Sequence, residues 1–137
     1  MRHVILPALE KGLHVVCDRF ADSTTAYQGY GRGFPVDEML AINRFAINGA
    51  NPDLTILLDV DVDLGFERLR ERHKANASTW DRIEREEQAF HQRVREGYLA
   101  LARRWPERFR VVDARGDPDA VEAEVWKAVQ RVLDGQP

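Results

Sequence analysis

Leu13-His14-Val15-Val16-Cys17 is an apolar run that breaks into Asp18-Arg19-Phe20-Ala21-Asp22-Ser23-Thr24-Thr25-Ala26-Tyr27-Gln28-Gly29-Tyr30-Gly31-Arg32-Gly33. The first five residues read as a short buried strand. A strand that ends in Asp-Arg and opens into a Ser/Thr/Tyr/Gln/Gly loop sets polar groups at the carboxyl edge of a sheet. In open α/β folds that edge is where ligands bind. Cys17, the single cysteine, has no disulfide partner and reads as a small buried core residue.

Outward from this stretch, strands and helices alternate. Val4 to Lys11 reads as the end of a helix closed by Gly12. Pro35-Val36-Asp37 starts a helix whose Met39, Leu40, Ile42, Phe45, Ala46 and Ile47 recur at helical spacing, with Gly49 and the turn Asn51-Pro52-Asp53 stopping it. Leu54 to Val60 is nearly continuous apolar sequence, as in a parallel strand covered on both faces. A basic helix is expected over 63–74, a polar loop over 75–81, and a long helix over 82–104 with an apolar stripe at Ile83, Phe90, Val94, Tyr98 and Leu101. Phe109 to Asp113 is a third strand. Asp117 caps a last helix with Pro118 in its first turn and Val121, Val125, Val129 and Val132 toward the core. Such alternation implies a parallel sheet with right-handed crossovers. The expected fold is thus α/β, a three-stranded parallel sheet flanked by helices. No repeat or low-complexity segment interrupts it, and residues 134–137 read as a loose tail.

The 137 residues allow one domain with one sizeable core. A net charge of −3 argues against a general nucleic-acid binder, so an anion site would have to be a local cluster. No apolar stretch approaches the ~20 residues of a membrane span. The start has neither the apolar core nor the cleavage site of a secretory signal. A cytoplasmic protein is the default expectation.

Residues 18–33 resemble the thymidylate kinase signature, an Asp-Arg-aromatic strand end followed by Ser-x-x-Ala-Tyr-Gln-Gly-x-Gly-Arg-Gly. The resemblance extends over essentially the whole chain and implies a P-loop-kinase-like fold. It also implies an earlier segment carrying the phosphate-cradling Gly-x-x-x-x-Gly-Lys-Ser/Thr turn, a pattern this sequence does not contain. The chain therefore reads as the carboxyl-terminal portion of such an enzyme. The complete enzyme would move the γ-phosphoryl of ATP to dTMP with Mg²⁺, and the family commonly forms homodimers.

Several side chains suit that chemistry. Arg19 can give a planar bidentate contact to a phosphate, and the resemblance assigns it the phosphate of dTMP; the alternative is a surface salt bridge to Asp18 or Asp22. Asp18 is implied to lie near magnesium and phosphates, and a carboxylate suits a hard cation, although strand-end aspartates also serve as caps. Ser23, Thr24, Tyr27 and Gln28 supply the neutral groups that a thymine and deoxyribose pocket needs. The resemblance puts Thr24 and Gln28 near the base and Tyr27 against the sugar. Gly29, Gly31 and Gly33 permit positive φ and close backbone approach. Arg32 either contacts phosphate or anchors the loop.

A second set is Arg68, Arg70, Arg72, His73 and Lys74, followed by Asp81-Arg82-Ile83-Glu84. On an arbitrary helix these would be a solvated face. The resemblance makes 66–82 a lid whose arginines close over ATP and neutralise the transferring phosphoryl group; Arg72, Arg82 and Arg68 are the candidates for that role. Glu84 is placed near the acceptor sugar, or else serves as a helix N-terminal acid. Arg115, in the loop after the last strand, is placed under adenine, or belongs to a plain turn. The histidines lack metal-ligand spacing, and the tryptophans read as packing residues. Other readings are a related nucleotide or deoxynucleoside kinase, an inactive dTMP-binding or association fragment, and, least supported, a receiver-like domain built on Asp18, Asp59 and Asp113.

Overall fold

The computed structural model describes residues 3–72 and 81–135, with side chains over 3–71 and 87–135. Helix α1 (Ile5–Glu10) carries Pro7 in its first turn, where no helical N–H is lost. It closes on Gly12, whose φ of +70° is reached most easily by a residue without a Cβ. Helix α2 (Ala21–Thr24) runs directly into a π-helical segment, Thr25–Gly31. Helix α3 (Val36–Ile47) starts behind Pro35 with Asp37 and Glu38 in its first turn, and ends on Asn48 and Gly49, both left-handed. Strand β1 (Thr55–Asp59) follows, then α4 (Val62–Arg72), α5 (Asp81–Arg104), β2 (Phe109–Asp113) and α6 (Pro118–Leu133). Asp117 caps α6 as its sequence suggests, its carboxylate accepting from the Ala120 N–H at 3.3 Å.

β1 and β2 pair in parallel from Thr55↔Phe109 to Asp59↔Asp113. The expected third strand is not there. Residues 13–17 form no ladder, Val16 is 97% exposed, and Cys17 is exposed rather than buried. A strand is stable only beside a partner that takes up its N–H and C=O groups, and no described strand lies next to this one. Apolar character alone does not hold it in a sheet.

The core lies between the π-helical segment and α5, with β2 beneath. Ala26, Val94, Leu101, Ala102 and Phe109 are buried there, and Tyr27, Tyr30, Phe90, Tyr98 and Trp105 pack around them. This bears out the stripe expected on the long helix wherever it is described. Helix α6 lies on β2, but Val121, Val125 and Val129 are only half-buried and Val132 is exposed.

Candidate functional site

The stretch after Cys17 is helical where the sequence suggested an open loop. Its glycines explain why. Gly33 alone has positive φ, +79°. Gly29 and Gly31 serve close packing instead: a Cβ on Gly31 would come within 2.7 Å of the Phe90 ring and 2.8 Å of Val94. Bare backbone at Gly31 lets the segment lie close on α5, while Gly29 faces Val36 at the start of α3, 3.3 Å from where its Cβ would stand. On the other side, Gly97 of α5 gives the room in which Tyr30 sits, since a Cβ there would meet the Tyr30 Cβ at 2.7 Å. Arg93 adds a bond from its Nε to the Gly31 carbonyl at 3.0 Å.

The start of the stretch is tied to the amino ends of the strands. Asp22 takes two hydrogen bonds from Arg108, both 2.7 Å, and a third from the Thr55 hydroxyl at 3.2 Å. Both charged side chains are largely buried. Asn43 of α3 donates to the Ala21 carbonyl at 2.9 Å and to the Thr25 hydroxyl at 2.8 Å. Asp22 is therefore occupied as an anchor and does not pair with Arg19.

On this frame the sequence-predicted residues converge around Tyr27. The Arg19 guanidinium lies 4.3 Å over the Tyr27 ring, a cation–π stack. Arg19 reaches it from a backbone with φ +69°, an uncommon conformation for a bulky residue. Phe90, His91 and Tyr98 meet the Tyr27 ring edge-on at 5.9, 6.5 and 6.4 Å. Ser23 accepts a 2.6 Å hydrogen bond from the Tyr98 hydroxyl, and burial pushes that phenol upward. Gln28 accepts from Arg32 at 2.9 Å, so Arg32 braces the turn. Thr24 is exposed, as are Asp18 and Arg19.

A second polar cluster sits at the carboxyl ends of β1 and β2. Arg95 holds Asp59 through two bonds of 2.7 and 2.9 Å and reaches Asp61 at 2.9 Å. These bonds keep the Asp59 carboxyl below its ordinary range. Asp113 faces Arg115 in the same fashion, at 2.7–3.1 Å, and is held down to about 2. Arg68 of α4 donates to the Ala114 carbonyl at 2.9 Å and the Arg115 carbonyl at 2.8 Å. The His91 ring packs between Phe66 of α4, 5.7 Å away, and Tyr27, 6.5 Å away.

Over residues 1–125 the chain matches the family model for thymidylate kinase. The chain belongs to the thymidylate kinase family. It is 50% identical to the thymidylate kinase of Pelotomaculum thermopropionicum over 131 residues, 96% of this chain and 59% of that enzyme. It is also 50% identical to the thymidylate kinase of Solidesulfovibrio magneticus over 132 residues, covering 95% of this chain and 63% of the relative. The Thermomicrobium roseum enzyme is 50% identical over 129 residues, 94% and 60% of the two chains. The chain thus spans about three fifths of the length of the thymidylate kinases it matches. Among the described residues no helix is long and apolar enough to cross a membrane.

For a thymidylate kinase site, the structure gathers Arg19, Ser23 and Tyr27 in one place and Arg68 and Arg115 in another. The side chains of Arg72, Arg82 and Glu84 lie outside the described residues; the backbone puts Arg72 at the end of α4 and the other two in the first turn of α5. Tyr98, Arg93, Arg95, Arg108 and Asn43 were not singled out as polar partners from the sequence. Tyr98 left one signal, because a tyrosine on a buried stripe needs a partner for its hydroxyl. The arginines pair with residues 34 to 86 positions away, and no local pattern announces that. Among the described residues no three His, Cys, Asp or Glu side chains group as a metal cage. A single exposed Asp18 fits magnesium only in the way that ion is usually held in kinases, by one or two carboxylates with phosphates and water as the remaining ligands.

Proposed function

We propose that this chain forms the acceptor-side portion of a cytoplasmic thymidylate kinase, which transfers the γ-phosphoryl of ATP to dTMP. The single observation that carries the reading is the Arg19–Tyr27 stack within a segment matching the family. It sets a cation with its planar fork free for phosphate above an aromatic ring suited to a deoxyribose. In this reading Arg19 takes the dTMP phosphate, Tyr27 the sugar, and Thr24 and Gln28 the base, while Ser23 is steered by Tyr98. Arg72 and Arg82 neutralise the transferring group, Glu84 lies by the acceptor sugar and Arg115 stacks under adenine. Asp18 stands beside magnesium, which when bound offsets charge on the phosphates. The phosphate-cradling loop comes from the part of such an enzyme that this chain does not match. No general base is required, because the dTMP phosphate oxygen is already a nucleophile; catalysis is positioning and charge neutralisation.

The test is a calorimetric titration with dTMP at fixed Mg²⁺, with dUMP and AMP as competitors. Saturable dTMP binding that the other two reproduce only weakly is expected. A chain that melts cooperatively yet gives no dTMP heat would replace this reading with that of an association fragment. The proposal includes a homodimer, supported by the outer face of α3, where Phe45 is 89% and Ile42 55% exposed. Light scattering reads it directly.

A further inference from the structure

Arg68 was expected to swing over the nucleotide phosphates, and its surroundings point elsewhere. It lies on α4, yet both terminal nitrogens of its guanidinium are spent on consecutive backbone carbonyls after β2, those of Ala114 and Arg115. A guanidinium is a rigid planar fork. Binding two adjacent carbonyls fixes the plane of the turn as well as its distance. From inside, the same turn is closed by Asp113, whose Oδ1 accepts from the Arg115 N–H at 3.0 Å while its carboxylate takes the Arg115 side chain. The Ala114 N–H donates to the Asp59 carbonyl at 2.8 Å and extends the β1–β2 ladder into the turn. The turn thus has three fasteners, and Arg68 is the one that ties it to a helix.

We infer that Arg68 is a positioning residue: it clamps the 113–116 turn to α4 and thereby stations the Arg115 guanidinium on Asp113. Swinging away over a phosphoryl group would give up both carbonyl bonds and leave the turn to its other two fasteners. The link to nucleotide binding rests on the kinase reading, in which Arg115 lies under adenine; the clamp itself does not.

The test follows the Asp113 carboxyl by carbon-detected NMR titration in the parent chain, Arg68→Lys and Arg68→Met. In the parent it should titrate near the value of about 2 imposed by Arg115. In Arg68→Met the turn loosens, and the Asp113 midpoint should rise toward the ordinary 3.8. Arg68→Lys, which keeps the charge on a single donor nitrogen without the planar fork, should fall between. A general loss of packing at α4 would not grade Asp113 in this order. Identical Asp113 titration in all three proteins overturns the proposal. Should Arg68→Met fail to fold, the parent decides: slowly exchanging Arg68 Nη protons with couplings to the 114 and 115 carbonyls support the clamp, and rapidly averaging ones overturn it. Neither readout uses dTMP, so failure of the kinase reading in calorimetry and failure of the clamp remain separate results.

Discussion

At φ +69° the Cβ of Arg19 crowds its own backbone, which costs roughly 1–2 kcal/mol in an L residue. Stacking on Tyr27 returns about 0.5–1 kcal/mol at an exposed site, so the two nearly offset and the conformation contributes little to stability. A residue held this way is better explained by what its head group touches than by the scaffold. Arg19→Gly should therefore change unfolding free energy by no more than about 1 kcal/mol. The same variant should weaken dTMP binding by roughly 1.5–3 kcal/mol, the scale of a charged hydrogen bond. Denaturant melts and calorimetry on one sample measure both; a large stability loss with intact affinity would make Arg19 a framework residue. Tyr27 and Arg19 were readable from sequence because they belong to one short motif. Asp22 was not, since its partner Arg108 lies 86 residues away.

Between elements, the closest seam is that of α5 with the π-helical segment, and it depends on absent side chains. Gly97→Ala would drive a methyl into the Cβ and Cγ of Tyr30, both 2.7 Å away, atoms too near the backbone to swing aside. A destabilisation of about 1–3 kcal/mol is expected for such overpacking. Gly116→Ala, with nothing within 4 Å, serves as the control. The α5–β1 joint is electrostatic, and its pH dependence has a definite sign. Arg95 depresses the Asp59 carboxyl below 3.8, so the pair adds stability above the unfolded value and loses it as pH falls through the folded one. Urea midpoints of the parent and Arg95→Met should differ near neutral pH and draw together as pH falls below 3.8; a gap that stays constant through that fall would rule out the ionic pair as its source. The bounds of α3 and α6 were legible, because Pro35, Gly49 and Asp117 stop or start helices by local chemistry, whereas the helical stretch Ala21–Gly31 read as a loop. The strand over 13–17 was misread for the opposite reason. Its hydrophobicity is local, but strand formation depends on a neighbour, and none is found among the described residues.

As a whole the molecule presents a good deal of uncovered apolar surface. Val16 is 97% exposed, Phe45 89%, Leu58 52% and Val111 49%. Where such side chains lie together they form a face suited to another polypeptide. The chain should accordingly bind a hydrophobic dye and sediment in a concentration-dependent manner, and a dye-silent monomer at all concentrations would speak against such a face. The long-range fastenings also set a schedule. Ser23 is bonded to Tyr98 and Asp22 to Arg108, partners 75 and 86 residues downstream. On a ribosome adding ~5–20 residues per second, Arg108 emerges roughly 4–17 s after Asp22. For most of that interval the segment that stacks Arg19 on Tyr27 has no complete α5 to lie against. The segment that holds Arg19 and Tyr27 is made well before the residues that fasten it and takes shape only with them, which makes the nascent chain, more than the finished one, the form exposed to misfolding.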